Sequence, residues 1–227
     1  MVSNNEIQIV ISRYNENLNW LNDTLFKGMK IIIYNKGNNT NFYKPNNCKI
    51  VNLPNKGRCD QTFLFHIAEN YDNLEKITIF LPGSSDMPNK IYKTKKMMNF
   101  IINYKKAVFP VEKCSSVYTT FRNFTIENWE SSYRENSNNN NNIVENAKLR
   151  PFGVWYNYHF GNKNCQYYSI NSIFSLDKDD IKKYPKSRYL YFSNMLSNNI
   201  HPETCHYIER SWALIFGPFL NTLLLHV

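Results

Sequence analysis

Apolar residues in the first third of the chain fall in short unbroken runs rather than in strict alternation. Glu6–Ser12 (EIQIVIS), Lys30–Tyr34 (KIIIY), Lys49–Leu53 and Lys76–Leu81 (KITIFL) are rich in β-branched side chains. Such runs mark strands buried on both faces. Between them the period lengthens. Leu18, Leu21 and Leu25 recur at helical spacing after Asn17, a capping residue, so a helix is expected over Asn17–Phe26. Thr62–Tyr71 reads as a second helix, preceded by a turn at Gly57, with Phe63 and Ile67 facing inward. This alternation through residue 86 predicts an α/β fold, a three-layer α/β/α core around a mostly parallel sheet. Ligands of such sheets bind beyond the carboxyl ends of the strands, where Arg13–Glu16, Asn35–Gly37 and Pro82–Asp86 would converge.

The pattern is less regular further on. Asn89–Lys106 reads as a basic amphipathic helix, with Ile91, Met98, Ile101 and Ile102 apolar. Val108–Val111, Val117–Phe124 and Ser169–Leu176 read as strands. Asp179–Lys183, Ser187–Leu196 and Thr204–Phe216 read as helices. The asparagine-rich stretch at 135–146 is expected to be a flexible loop. The tail Trp212–Val227 is apolar but broken by Gly217, Pro218 and Asn221, so it is too interrupted to span a bilayer. It reads as a core helix or a partner-docking segment. One domain over 1–227 is expected, with a ligand-binding half at 1–110 and a second half at 111–227.

Composition changes this picture little. With 42% hydrophobic and 15% aromatic residues, the 227-residue chain can build a sizeable core. A net charge of +9 is compatible with a polyanionic or phosphorylated partner. The charge and the aromatic residues leave a nucleic-acid-binding protein as a weaker alternative, since the basic residues are dispersed and no nucleic-acid module is visible. The densest cluster, Lys93, Lys95, Lys96, Lys105 and Lys106, reads first as a solvated helix face. Five cysteines without a CxxC pair and no apolar leader point to reduced thiols and a cytoplasmic setting. GxxxxGK[ST], GxGxxG, GxSxG and HExxH are all absent, which removes support for several enzyme classes.

Three stretches carry a resemblance. IVISRYNENLNWLNDTL is similar to the opening of GT-A glycosyltransferases, where a strand runs into a YNE-like loop. KIIIYNKGN resembles their second strand. NLPNKGRCDQTFLFHIAENYDNLEKITIFLPGSSD resembles the segment where N-x-G-R precedes a helix, a strand and the metal-binding DxD. A closer resemblance, on YNE, IYNKG, N-x-GR, HI-x-ENYDNL and the C-terminal ER-x-W-x-x-IF at Glu209–Phe216, is to a domain family of unknown function found in fungi, algae and giant viruses.

The glycosyltransferase resemblance implies a GT-A-like fold and transfer of a sugar from a nucleotide-sugar donor to an unidentified acceptor hydroxyl. It implies that Tyr14, Glu16, Asn35 and Arg58 lie around the nucleotide. Asp86 would be the surviving acid of the DxD, with Ser84 in place of the first acid, and would hold Mn²⁺ or Mg²⁺. Glu209 is the candidate base; the same carboxylate reads somewhat more readily as a structural ion pair with Arg210 anchoring a helix. The missing acid also leaves open metal-independent transfer or a non-catalytic relative acting as a structural or interaction protein. His66 reads as a core histidine or a partner for a Cys59 nucleophile, and His201, Cys205 and His206 as packing groups or metal ligands. Trp155, Tyr156, Tyr158 and Phe160 read as core or as a sugar platform.

Overall fold

The computed structural model describes residues 2–128 and 144–227. Most of the asparagine-rich loop expected at 135–146 lies outside the described residues. Its end, Val144–Glu145, forms a short strand.

Strands β1 (Ile7–Arg13), β2 (Lys30–Asn35), β3 (Cys48–Asn52) and β4 (Ile77–Pro82) lie parallel in the order β3-β2-β1-β4. They follow the four apolar runs of the sequence within a residue or two. The neighbour on the far side of β4 is a later strand, Phe174–Asp177, which runs antiparallel with Phe80 opposite Phe174. The sheet is therefore mixed. The expectation of a mostly parallel sheet is corrected here, because the closing strand arrives from the second half of the chain.

Alternation along each strand loads both faces. Val10, Ile32, Phe80 and Phe174 point to one face; Ile9, Ile11, Ile31, Ile33, Ile79 and Leu81 point to the other. The first face takes helix α1 (Arg58–Glu69), whose buried positions Phe63, Leu64, Ile67 and Ala68 form one stripe. The second takes helix α2 (Pro88–Tyr104) through Met97, Met98 and Ile101, together with Leu21, Phe26 and Met29. Leu21 and Phe26 sit on two short 3₁₀ turns, Asn19–Asn22 and Thr24–Phe26, where a continuous helix was expected. Asp23 breaks it, its extended backbone ending one turn while its carboxylate accepts the Leu25 N–H to cap the next.

Strand β5 (Val108–Lys113) leads a second sheet. It pairs antiparallel with β7 (Tyr167–Tyr168) and parallel with β10 (Leu223–His226), while β6 (Val144–Glu145) pairs with β9 (His201–Pro202). Strand β8 (Phe174–Asp177) is tied to β5 through a side chain: the Val108 N–H donates to Ser175 Oγ at 2.7 Å, and that hydroxyl lies 2.9 Å from the Val108 carbonyl.

Val117–Phe121, expected as a strand, is helix α3, capped by Ser116. The aromatic segment becomes helix α4 (Phe152–Phe160). Its Trp155, Tyr156 and Phe160 are buried, and Tyr158 is exposed. Helices α5 (Lys178–Lys182), α6 (Lys186–Met195) and α7 (Thr204–Phe216) are the remaining α-helices among the described residues. Asp177 caps α5 by accepting the Asp179 N–H. The apolar tail is neither one helix nor a free segment, since α7 ends at Phe216 and the chain turns at Gly217-Pro218 into β10.

Phe174 sits where the layers meet. Its ring centroid lies 5.1–5.9 Å from those of Phe63, Phe80, Phe109, Trp212 and Phe216. Phe174→Ala should cost about 3–5 kcal/mol in urea unfolding, because a ring fully enclosed by other rings leaves a cavity that cannot collapse.

Candidate functional site

The parallel strands deliver Arg13, Asn35 and Pro82 to one edge of the sheet, and antiparallel β8 brings its N-terminal end, with Ser172 and Ile173, to the same edge. The backbone carries the sheet onward: the Lys36 N–H donates to Arg13 O at 2.8 Å and the Gly83 N–H to Ser12 O at 2.7 Å. The loops after β1, β2 and β4 are thus set side by side.

Buried Arg13 organises them. Its Nε donates to Glu16 O at 2.7 Å. Its Nη1 lies 3.1 Å from Tyr14 O, 2.5 Å from Asn35 Oδ1 and 2.8 Å from Asn39 O. The guanidinium stacks on Phe42 at 3.9 Å. Gly37 permits the close approach, since a Cβ there would meet Tyr14 O at 2.0 Å. Glu16 Oε2 accepts the N–H groups of Tyr14 (2.7 Å) and Asn15 (3.1 Å), which fixes the YNE loop.

Opposite stands the start of α1. Gly57 and Arg58 are both left-handed, at φ 59° and 48°, a conformation that Gly57 adopts freely and Arg58 does not. Lys36 clamps this turn, donating from Nζ to the carbonyls of Lys56 and of Arg58, the latter at 2.6 Å. Burial drives the Lys36 ammonium down to about 8. The segment before β9 closes the other wall through the Gly57 N–H to Asn199 O bond. Arg58 Nη1 lies 3.2 Å from His201 Nδ1, and His201 Nε2 lies 2.9 Å from His206 Nε2, one ring donating and the other accepting.

Between these walls lies a cleft of about 380 Å³, lined by Ser12, Arg13, Tyr14, Glu16, Lys36 and Arg58, with Ser84, Lys90 and His201 closing it. Four of its lining side chains are cationic (Arg13, Lys36, Arg58, Lys90), and Glu16 is the one carboxylate among them. Lys90, in the first turn of α2, donates to Ser84 Oγ at 2.7 Å.

The expected site residues separate into groups. Tyr14, Glu16 and Arg58 meet in the cleft. Asn35 lies beneath it, holding Arg13 and donating to Gly37 O at 2.8 Å. Asp86 is exposed and lines a different cavity of about 370 Å³ with Trp20, Phe26 and Lys95. Ser84 and Asp86 therefore open to different cavities and do not form a ligand pair facing the cleft. Among the described residues no group of three or more His, Cys, Asp and Glu is arranged to hold a metal ion. Glu209 is also elsewhere: its Oε1 accepts the Asn171 N–H at 2.6 Å, which holds that left-handed residue, and its Oε2 is 3.8 Å from Arg210 Nη1.

The remaining candidates resolve as follows. His66 is fully buried with Nδ1 2.9 Å from the Tyr34 hydroxyl, and burial lowers it to about 3, so it is a neutral core group. Burial pushes the Cys59 thiol up to about 12, which removes the thiolate a nucleophile requires. Lys93 is no solvated face residue; it is buried with Nζ 3.1 Å from Ile170 O.

Sequence reading missed Lys36 and Lys90. The IYNKG pattern held Lys36 in plain view, but its inward direction depends on the turn it clamps. Asp60 was missed as well. It is buried, accepts from Ser172 Oγ at 2.7 Å, and is raised to about 7 by burial and then by the charge of Glu209.

The family described as "Protein of unknown function (DUF3431)" has a profile that matches residues 9–221. The chain belongs to the DUF3431 family. The match takes in the cleft loops, α1 and α7, so the motifs identified from the sequence lie within the family domain. The sequence matches no curated protein. No helix among the described residues is long and apolar enough to cross a membrane.

Two outcomes follow from this geometry. Arg13→Lys keeps the charge but loses the planar donor array, and should lower stability by about 1–3 kcal/mol in urea unfolding. Asp60 has a folded pKa above its unfolded 3.8, so its contribution is complete below that value and is lost as pH rises through about 7. Asp60→Asn should therefore gain stability relative to wild type between pH 4 and pH 8, by up to about 4 kcal/mol, read as the difference between the two unfolding curves.

Proposed function

We propose that the DUF3431 chain is a nucleotide-sugar-dependent glycosyltransferase with a GT-A-like core, its donor held in the cleft at the carboxyl ends of β1, β2 and β4. One observation carries the reading: four cationic side chains and a single carboxylate line a cleft at the edge where open α/β sheets bind ligands. A diphosphate answers that imbalance of charge. The YNE and N-x-GR motifs supply Tyr14, Glu16 and Arg58 to the same walls, as the glycosyltransferase resemblance implies. The acceptor is a hydroxyl compound.

A second reading is favoured by the position of Glu209. The candidate base accepts an Asn171 N–H instead of lining the cleft, which supports a relative that binds the donor without transferring it. The two readings part on turnover, since a binding protein releases no nucleoside diphosphate.

The test is thermal unfolding against nucleoside diphosphates and nucleotide-sugars, followed by release of nucleoside diphosphate from any donor that binds. A ligand at a hundred times its Kd should add about 2.7 kcal/mol of stability. The absence of a shift with every donor removes the reading. The affinity should also be greatest below pH 8 and decline as pH rises through that value, because the anion needs Lys36 in its charged form and burial places its pKa at about 8.

A further inference from the structure

The resemblance assigns neutralisation of the donor diphosphate to a divalent ion on Asp86, and the structure distributes the residues differently. Asp86 faces the Trp20–Phe26 cavity on the far side of the loop that follows β4. Ser84, at the first DxD position, faces the cleft but receives Lys90 Nζ at 2.7 Å. A lysine thus occupies the space beside the DxD-like loop. An ammonium there also repels a divalent ion, since like charges at hydrogen-bond range are unfavourable in a cleft of reduced dielectric.

We infer that the cleft is a metal-independent diphosphate site in which Lys90, Lys36 and Arg58 neutralise the anion. This rests on the donor reading above and names how that donor's phosphates are held. Lys36 has three N–H donors and, among the described residues, two carbonyl partners, Lys56 and Arg58, which leaves one N–H for a ligand. Lys90 has three donors and, among the described residues, one partner, Ser84 Oγ. Arg13 is 99% buried in the cleft wall, and its Nη2 has no hydrogen-bond partner among the described residues. Both helices that start at this edge, α1 at Arg58 and α2 at Pro88, begin beside the cleft and add the positive ends of their dipoles to the same space. The hydrogen-bond partners of Lys36 and Lys90 among the described residues are carbonyl and hydroxyl oxygens, so the charge of these two ammonium groups is left for the ligand to balance.

The test is calorimetric titration of the full chain with inorganic pyrophosphate, in EDTA and again in Mn²⁺. Saturable binding is expected in EDTA, and Mn²⁺ should not be required. Lys90→Ala removes one hydrogen bond to Ser84 and should weaken pyrophosphate binding about tenfold or more, the range of a lost charged hydrogen bond. Asp86→Ala should leave the affinity unchanged. Binding that requires Mn²⁺, binding abolished by Asp86→Ala, or no binding under either condition overturns the inference. The outcomes separate the two proposals. Pyrophosphate bound in EDTA with no nucleotide-sugar bound keeps the anion site and removes the transferase. Nucleotide-sugars bound only with Mn²⁺ through Asp86 keep the transferase and remove the metal-free site.

Discussion

The guanidinium of Arg13 is the constraint on which the cleft depends. It leaves the end of the central strand and turns inward, where burial lowers its pKa without supplying a counter-charge in contact. A charge in that position is tolerable only when hydrogen bonds replace its lost water. Three loop carbonyls and Asn35 do so, and together they fix three pieces of chain: two bonds hold the YNE loop, one the end of β2 and one the 37–42 turn. The site is therefore shaped by the solvation of one cation, and its loops cannot drift independently.

The same principle recurs around the edge of the sheet. Lys36 is solvated by the carbonyls of Lys56 and Arg58, and Lys93 by that of Ile170. Carbonyl dipoles stabilise a cation without cancelling it, whereas a carboxylate would do both. The protein can hence bury positive charge near the cleft and still present it to an anion. The acids here do other work: Glu16 binds backbone N–H groups, Asp60 is shielded under Ser172, and Glu209 holds Asn171.

Carboxylates organise the second half of the chain. Glu203, fully buried, accepts from the Ile126 and Ala147 N–H groups and from the Tyr207 hydroxyl. Asp180 accepts the N–H groups of Leu220, Asn221 and Thr222, which leads the chain into β10. Each gathers segments distant in sequence into one buried knot. This explains why loops carry so much of the architecture after residue 113.

The sequence by itself determined the strands β1 to β4, the helices α1 and α2, and the edge at which the cleft opens, because runs of β-branched residues and helical periods are local signals. Its motifs also named Tyr14, Glu16 and Arg58, which the fold brings to one cleft at that edge. It failed where long-range partners decide. Val117–Phe121 is helical despite its β-branched content because Ser116 caps it and its residues pack against α4, and the mixed sheet arises from a strand more than ninety residues after β4. Asp86 and Glu209 have the right residue types, but the loop after β4 turns Asp86 into another cavity, and Glu209 on α7 is taken up by the Asn171 N–H. Lys36 and Lys90 entered it for the reciprocal reason, because the direction of a long, flexible side chain is settled by the carbonyls and hydroxyls that tertiary structure brings within its reach.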